Sequence, residues 1–215
     1  MSERAACALL VLAKAPVAGV VKTRLCPPLS FGQAAELQRR LLWHTLETAS
    51  RAALGPIELW CAPDGVDPFF DHCRAHFKLE LKAQVTGNLG AKMRSALDEG
   101  LTRAERAILI GSDCPTITAA YLRQADGVLG AGHDIVLGPA EDGGYGLVGA
   151  ARALPDMFCN IPWGTPLVMN ATLDRLRASG YRWCALPLIW DVDRPEDLVR
   201  LASEPQLKIL TEGIA

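Results

Sequence analysis

Apolar residues in this chain come in short continuous runs, separated by longer stretches where they recur every three or four positions. Residues 5–13 form an unbroken apolar run of strand length, suited to a central strand covered on both faces. Ser30 and Gln33 have capping-box spacing and open a helix through residue 54, with Leu37, Leu41, Leu42, Thr45 and Leu46 along one side. Residues 57–62 read as a second strand, 68–76 as a short helix and 79–85 as a third, more amphipathic strand. Asn88 is placed to cap a helix over 89–102. A buried strand follows over 107–110, then a helix capped by Thr116 or Thr118 and running to about residue 129, a strand over 133–137 and an extended segment over 145–148. Thr165 and Pro166 have the types expected at a cap and first helical position, and Gly180 ends that helix. Residues 182–188 read as the last strand, a helix follows Asp193, and the last five residues are expected to fray. Alternating strands and helices predict an α/β fold, a three-layer α/β/α sandwich around a mainly parallel sheet. The length of 215 residues, without internal repeat or low-complexity linker, fits one domain over 1–215.

Composition narrows the class. Half of the residues are apolar and the net charge is −2, which argues against disorder and against a surface built for nucleic acid or anionic lipid. Seven cysteines are scattered without a C-x-x-C pair, the pattern of reduced thiols, and no leader or membrane-spanning run is visible; a cytoplasmic location is expected. His72, Cys73 and His76 have spacing a zinc site could use, but no second pair matches them and a surface helix is the simpler reading.

Ligands of open α/β sheets bind outside the carboxyl ends of the strands, and the candidate chemistry concentrates in the segments that leave those ends. The run 107–110 passes through Gly111 and Ser112 to Asp113, Cys114 and Pro115, so Asp113 stands at a strand end as a metal ligand or as a cap of the next helix. Between the first strand and first helix, Lys14, Lys22 and Arg24 flank a turn containing Pro16 and Gly19. With Thr23 they suit the oxygens of a di- or triphosphate, although the spacing is not that of a Walker loop; a solvated basic loop is the plain alternative. Asn88 and Gly90 begin a helix whose free N–H groups could meet an anion or a base edge, or form a simple capped loop. Glu141 and Asp142, followed by Gly143 and Gly144, supply either a general base for an acceptor hydroxyl or an ordinary turn. Tyr145, Trp163 and Thr165 fall near the expected acceptor side, with Trp163 either stacking on substrate or packing beneath its loop. Asp191 and Asp193 again place acids after a strand. Asp113 and Asp193, with water and phosphate oxygens, would suit Mg2+ or Mn2+, and that ion with Lys22 would offset a leaving diphosphate.

Five segments in order, Lys14-x-Pro-x-x-Gly-x-x-Lys-Thr-Arg-Leu25, Gly-Ser-Asp-Cys-Pro115, Gly-Pro-Ala-Glu-Asp-Gly-Gly-Tyr145, Pro-Trp-Gly-Thr-Pro166 and Asp-Val-Asp-Arg-Pro-Glu-Asp-Leu198, resemble the radical-SAM/selenodomain-associated transferase type 1 family. The resemblance spans nearly the whole chain. It implies a GT-A-like nucleotide-diphospho-sugar transferase fold and a metal-dependent glycosyltransferase that takes a nucleotide sugar and a small-molecule acceptor. It also implies Asp113 and Asp193 as metal ligands, with Lys14, Lys22 and Arg24 on the phosphates. Two departures, Gly164 in place of a serine and Gly146 in place of a second aromatic, fall near the acceptor side. The Lys-Thr-Arg-Leu25 segment and the acidic ending also resemble 2-phospholactate guanylyltransferases and molybdenum-cofactor nucleotidyltransferases. That likeness implies a rival reaction, nucleotidyl transfer from a nucleoside triphosphate to a phosphorylated small molecule. A nucleotide-binding protein without catalysis is the third reading.

Overall fold

The computed structural model describes residues 4–153 and 157–214. Strands β1 (Ala5–Lys14), β2 (Ile57–Ala62), β3 (Glu80–Ala83), β4 (Ala104–Gly111), β5 (Ile135–Pro139), β6 (Tyr145–Ala150) and β7 (Trp183–Ala185) form one sheet in the order β3-β2-β1-β4-β6-β5-β7. All pairings are parallel except those of β6, which runs antiparallel to both β4 and β5. Helices α1 (Phe31–Ala52), α2 (Pro68–Phe77), α3 (Leu89–Arg103), α4 (Ala119–Gly130), α5 (Val168–Ser179) and α6 (Pro195–Ser203) complete the α/β architecture. Among the described residues, no helix is long and apolar enough to cross a membrane.

The two-residue period of a strand explains the layers. Along β1, Cys7, Leu9, Val11 and Ala13 join the core beneath α1, α2 and α4, whereas Ala8 and Leu10 join the core beneath α3 and α5. An unbroken apolar run is therefore what a strand between two helical layers requires. Each leucine or valine among them, fully buried, contributes about 1.5–3 kcal/mol relative to exposure. A third cluster holds Leu25, Leu37, Trp190, Val192 and Leu201 between the start of α1 and α6.

Local signals account for most boundaries. Ser30 Oγ accepts from Gln33 N and Gln33 Oε1 from Ser30 N, closing the expected capping box; Asn88 caps α3, and Thr118 rather than Thr116 caps α4. Three of the differences from the sequence reading have a clear local cause. The last strand is three residues long rather than seven, because Pro187 has no N–H for the ladder; beyond it only a bridge between Ala140 and Ile189 continues the pairing. Helix α5 starts at Val168, not Pro166, because Thr165 builds a preceding turn, donating to Pro162 O at 2.8 Å and accepting from Leu167 N at 3.3 Å. The chain end is held rather than frayed: Ile214 is buried in the third cluster, its carbonyl accepts from Gln33 Nε2, and Arg40 donates to Glu212 O at 2.6 Å.

One buried charge lies in this frame. Glu58 on β2 is 2% exposed and accepts from Arg103 at 2.7 and 2.8 Å and from Trp60 Nε1 at 3.1 Å. Removing the guanidinium leaves a carboxylate in the core without its cation. Arg103→Ala is expected to destabilise the fold by about 3 kcal/mol, read as a lower urea midpoint with an unchanged slope.

Candidate active site

Strand register brings the chemistry-bearing segments to one edge. Leu12 pairs with Gly111, Ile110 with Leu147 and Pro139 with Tyr145, so Lys14, Asp113, Asp142 and Tyr145 leave or enter the sheet on the same side. They open onto a cavity of about 660 Å³, which Lys22, Arg24, Asp191 and Asp193 also line. This is where an open α/β sheet binds its ligand.

The loop after β1 is held by its backbone and by its one buried end. Lys22 has φ 50°, a left-handed conformation that a non-glycine residue adopts only where its surroundings impose it. The turn Thr23–Leu25 then drives Leu25 into the third cluster. Lys22 Nζ, with its side chain only 7% exposed, donates to Val192 O at 2.6 Å and lies 3.4 Å from Asp113 Oδ2. Arg24 Nη1 meets Asp193 Oδ2 at 2.7 Å on the exposed rim. Across the cavity, Trp190 and Val192 are buried while Asp191 and Asp193 alternate with them, so a strand-like period turns both acids outward into the cavity. Val192 N donates to Asp113 O at 2.9 Å, tying this segment to the end of β4.

Carboxylates crowd one another here. Burial, then the charges of Asp113 and Asp142, push the Asp191 carboxyl from 3.8 up to about 6, with Lys22 opposing the rise. Burial and the charges of Asp113 and Asp191 push the adjacent Cys114 thiol well above its ordinary range. Among the described residues, no group of three or more His, Cys, Asp or Glu side chains is arranged to hold a metal by itself. Crowded, part-buried carboxylates do fit a hard divalent cation that takes one or two protein oxygens and completes its shell from water and phosphate. Asp113 and Asp191 are the residues with that environment.

The residues singled out from sequence separate into two groups. Lys14, Lys22, Thr23, Arg24, Asp113, Asp142, Tyr145 and Asp193 line the cavity together, from segments up to 179 positions apart. Glu141 does not: it forms a two-pronged pair with Arg200 at 2.7 and 3.1 Å, which holds its carboxyl below the usual range, and Arg200 in turn lies over the Trp190 ring. Its expected role as a base is thus replaced by an anchoring role. Asn88 accepts from Ala91 N at 2.9 Å as a helix cap, and Gly90 is needed because a side chain there would come within 2.8 Å of the Trp163 indole. Neither lines the cavity. Trp163 packs against Gly90, Tyr145 and Phe158, so of its two readings the packing one holds, and Thr165 belongs to the turn before α5. Gly19 shapes the loop, with φ 78°.

Two charged cavity residues were given no role from the sequence. Asp191 was visible as a strand-end acid, and alternation with Trp190 and Val192 was the signal for its direction. Lys92, in the first turns of α3, faces the cavity, and with Lys14 it takes part in no ion pair among the described residues. Nothing in its local sequence marks it out from a solvated helical lysine.

The solved structures that share this fold include ones named as a nucleotide-diphospho-sugar transferase and as nucleotidyltransferases. The chain belongs to the family DUF2064, described as an uncharacterized protein conserved in bacteria, whose model matches residues 45–165. A crystal structure provisionally named as a nucleotide-diphospho-sugar transferase, from Desulfovibrio desulfuricans G20, is 26% identical with a TM-score of 0.85, over 98% of this chain and 96% of that one. Rv0371c from Mycobacterium tuberculosis H37Rv, solved also with manganese, is 21% identical in that complex with a TM-score of 0.59, over 94% of this chain and 100% of that one. CMP:2-keto-3-deoxy-manno-octonic acid synthetase with CTP is 12% identical with a TM-score of 0.56, over 91% and 96%. No curated protein matches the chain by sequence.

The raised Asp191 carboxyl carries a stability consequence. The folded chain binds this proton more tightly than the unfolded one, so the contribution is full below about pH 3.8 and lost as pH rises through about 6. Asp191→Asn is expected to raise stability at pH 7.5 by about 1 kcal/mol after solvent screening at this half-buried position, and by nothing measurable at pH 4. Melting curves at the two pH values check the sign.

Proposed function

We propose that the protein is a transferase that takes a nucleotide donor, with the sugar of a nucleotide-diphospho-sugar as the group moved. The observation that carries the reading is the single cavity in which Lys14, Lys22 and Lys92 face Asp113, Asp142 and Asp191. Cations of this density suit a diphosphate, and the acids suit a divalent ion that accompanies it. The 26% identity to the provisionally named sugar-nucleotide transferase and the resemblance to the selenodomain-associated type 1 transferases support the donor class.

In this reading Lys14, Lys22 and Lys92 hold the donor's diphosphate oxygens, and Lys22 exchanges its contact with Asp113 for one with phosphate. Asp113 and Asp191 would hold Mg2+ or Mn2+, which supplies charge neutralisation of the diphosphate when bound. The acceptor enters beside Tyr145. Its hydroxyl oxygen bonds to the anomeric carbon, the bond from that carbon to the diphosphate breaks, and the leaving nucleoside diphosphate takes the electron pair. Asp142, whose Oδ1 is engaged by Gly144 N at 2.8 Å, has its second oxygen to receive the acceptor's proton. Asp193 is occupied by Arg24 and positions the rim rather than the ion.

A second reading is favoured by one feature: four cationic side chains around one cavity suit a triphosphate, as nucleotidyl transfer to a phosphorylated acceptor requires. Thermal melts with Mn2+ and a panel of sugar nucleotides and nucleoside triphosphates decide between them. Ligand at about one hundred times its Kd stabilises by about 2.7 kcal/mol. Larger shifts with sugar nucleotides support sugar transfer; larger shifts with triphosphates, together with pyrophosphate release, transfer the proposal to nucleotidyl chemistry. Asp113→Asn is expected to abolish the manganese-dependent part of the shift while preserving an acceptor for Lys22. Lys22→Ala is expected to weaken nucleotide binding by about ten- to a hundredfold, the loss of one charge-assisted contact to phosphate, and an unchanged Kd by calorimetry would return this loop to solvent.

A further inference from the structure

We infer that Gln84 reads the nucleobase of the donor and selects bases that carry an amino group, an inference that rests on the nucleotide-donor reading above. Gln84 follows β3 and lines the cavity. Its backbone N–H donates to Cys61 O at 2.9 Å, and its Nε2 donates both to Trp60 O at 2.8 Å and to Ala13 O at 3.2 Å. Carbonyl oxygens only accept, so both amide protons are engaged and the end-for-end orientation of the side chain is set by chemistry. Among the described residues, the one side-chain polar atom of Gln84 without a partner is then Oε1, an acceptor on a half-buried side chain in the cavity wall.

Sheet order fixes where this acceptor lies relative to the charges. Gln84 is anchored to the ends of β1 and β2, Asp113 leaves β4 beside β1, and Tyr145 begins β6 beyond that. Neighbouring strands are about 4.8 Å apart, so phosphates at Lys14, Lys22 and Asp113 lie about one or two strand spacings from Gln84, a gap that a ribose fills. The wall on that side is apolar: Leu12 precedes Ala13 in β1, and Met93 of α3 packs in the same cluster as Leu12. Leu89, which also lines the cavity, is 47% exposed, apolar surface that a planar ring would cover.

Adenine, cytosine and guanine can each direct an N–H of an amino group at Oε1. Uracil and thymine offer only N3–H between two carbonyl oxygens, so a base turned to Gln84 sets its own acceptors beside Oε1 and the neighbouring Ala13 carbonyl. Such acceptor-on-acceptor contacts disfavour the wrong base more than they reward the right one. An acceptor covered by the base and deprived of its donor costs about ten- to a hundredfold in affinity.

The test is calorimetric titration of the full chain, with Mn2+, using ADP, CDP, GDP, UDP, TDP and pyrophosphate, on the wild type and on Gln84→Met. At least one amino-bearing diphosphate is expected to bind about tenfold or more tighter than UDP and TDP. Gln84→Met should bring all five within about twofold of each other while pyrophosphate affinity stays unchanged. UDP or TDP binding as tightly as the best amino-bearing nucleotide, or a variant that keeps its discrimination, overturns the inference and leaves the nucleotide-donor reading standing. If Gln84→Met does not fold, the wild-type comparison alone decides. Absence of binding by pyrophosphate and by every nucleotide removes the donor reading and this inference with it.

Discussion

The Lys22 ammonium, 2.6 Å from the Val192 carbonyl and 3.4 Å from the Asp113 carboxylate, joins three segments that are distant in the chain: the loop after β1, the end of β4 and the acidic stretch before α6. A lysine so nearly enclosed needs these partners, and the partners need it, because Asp113, Asp142 and Asp191 crowd one another. The arrangement is imposed by the frame. Leu25 on one side of Lys22 and Val192 on the other are both fully buried in the third cluster, so packing energy holds the polar groups in place. The crowding of these carboxylates is what makes this cavity a natural place for a cation arriving with a phosphate.

Close packing around the cavity explains two residues that looked like departures or ligands. Gly146 stands where a second aromatic would fit the family pattern, and a Cβ there would come within 2.4 Å of the Cys114 sulfur. The thiol next to Asp113 therefore occupies volume that a side chain on β6 would otherwise fill. Gly90 is similarly surrendered to the Trp163 indole, which locks the loop before α5 against the start of α3 and backs Tyr145. The Tyr145 side of the cavity is thus backed by packed rings.

Glu141 and Asp142 show how little separates an acid that lines the cavity from one that does not. They are adjacent in one turn, yet Asp142 faces the cavity and Glu141 reaches outward to Arg200, which itself lies over Trp190. The Glu141 to Arg200 contact is solvent-exposed and worth little as stability. Its consequence is positional, since it ties the acid-bearing turn to α6 and to the segment that carries Asp191 and Asp193.

The alternating apolar runs, the Ser30–Gln33 box, the caps at Asn88 and Thr118 and the strand-end position of Asp113 were all legible in the sequence, because each depends on near neighbours or on burial period. The α/β plan followed from these, and with it the expectation that Lys14, Lys22, Arg24, Asp113 and Asp193 share an edge. Which way a side chain turns at that edge depends on contacts from elsewhere in the chain. Arg200 claimed Glu141, Trp163 claimed Gly90 and Arg24 paired with Asp193 at the rim, while Asp191 and Lys92 line the cavity without an ion pair among the described residues. Local propensity and hydrophobic period determined the strands and helices; only the folded chain, by bringing charges and rings from distant segments within a few ångströms, decided which polar groups were paired off and which remained for a ligand.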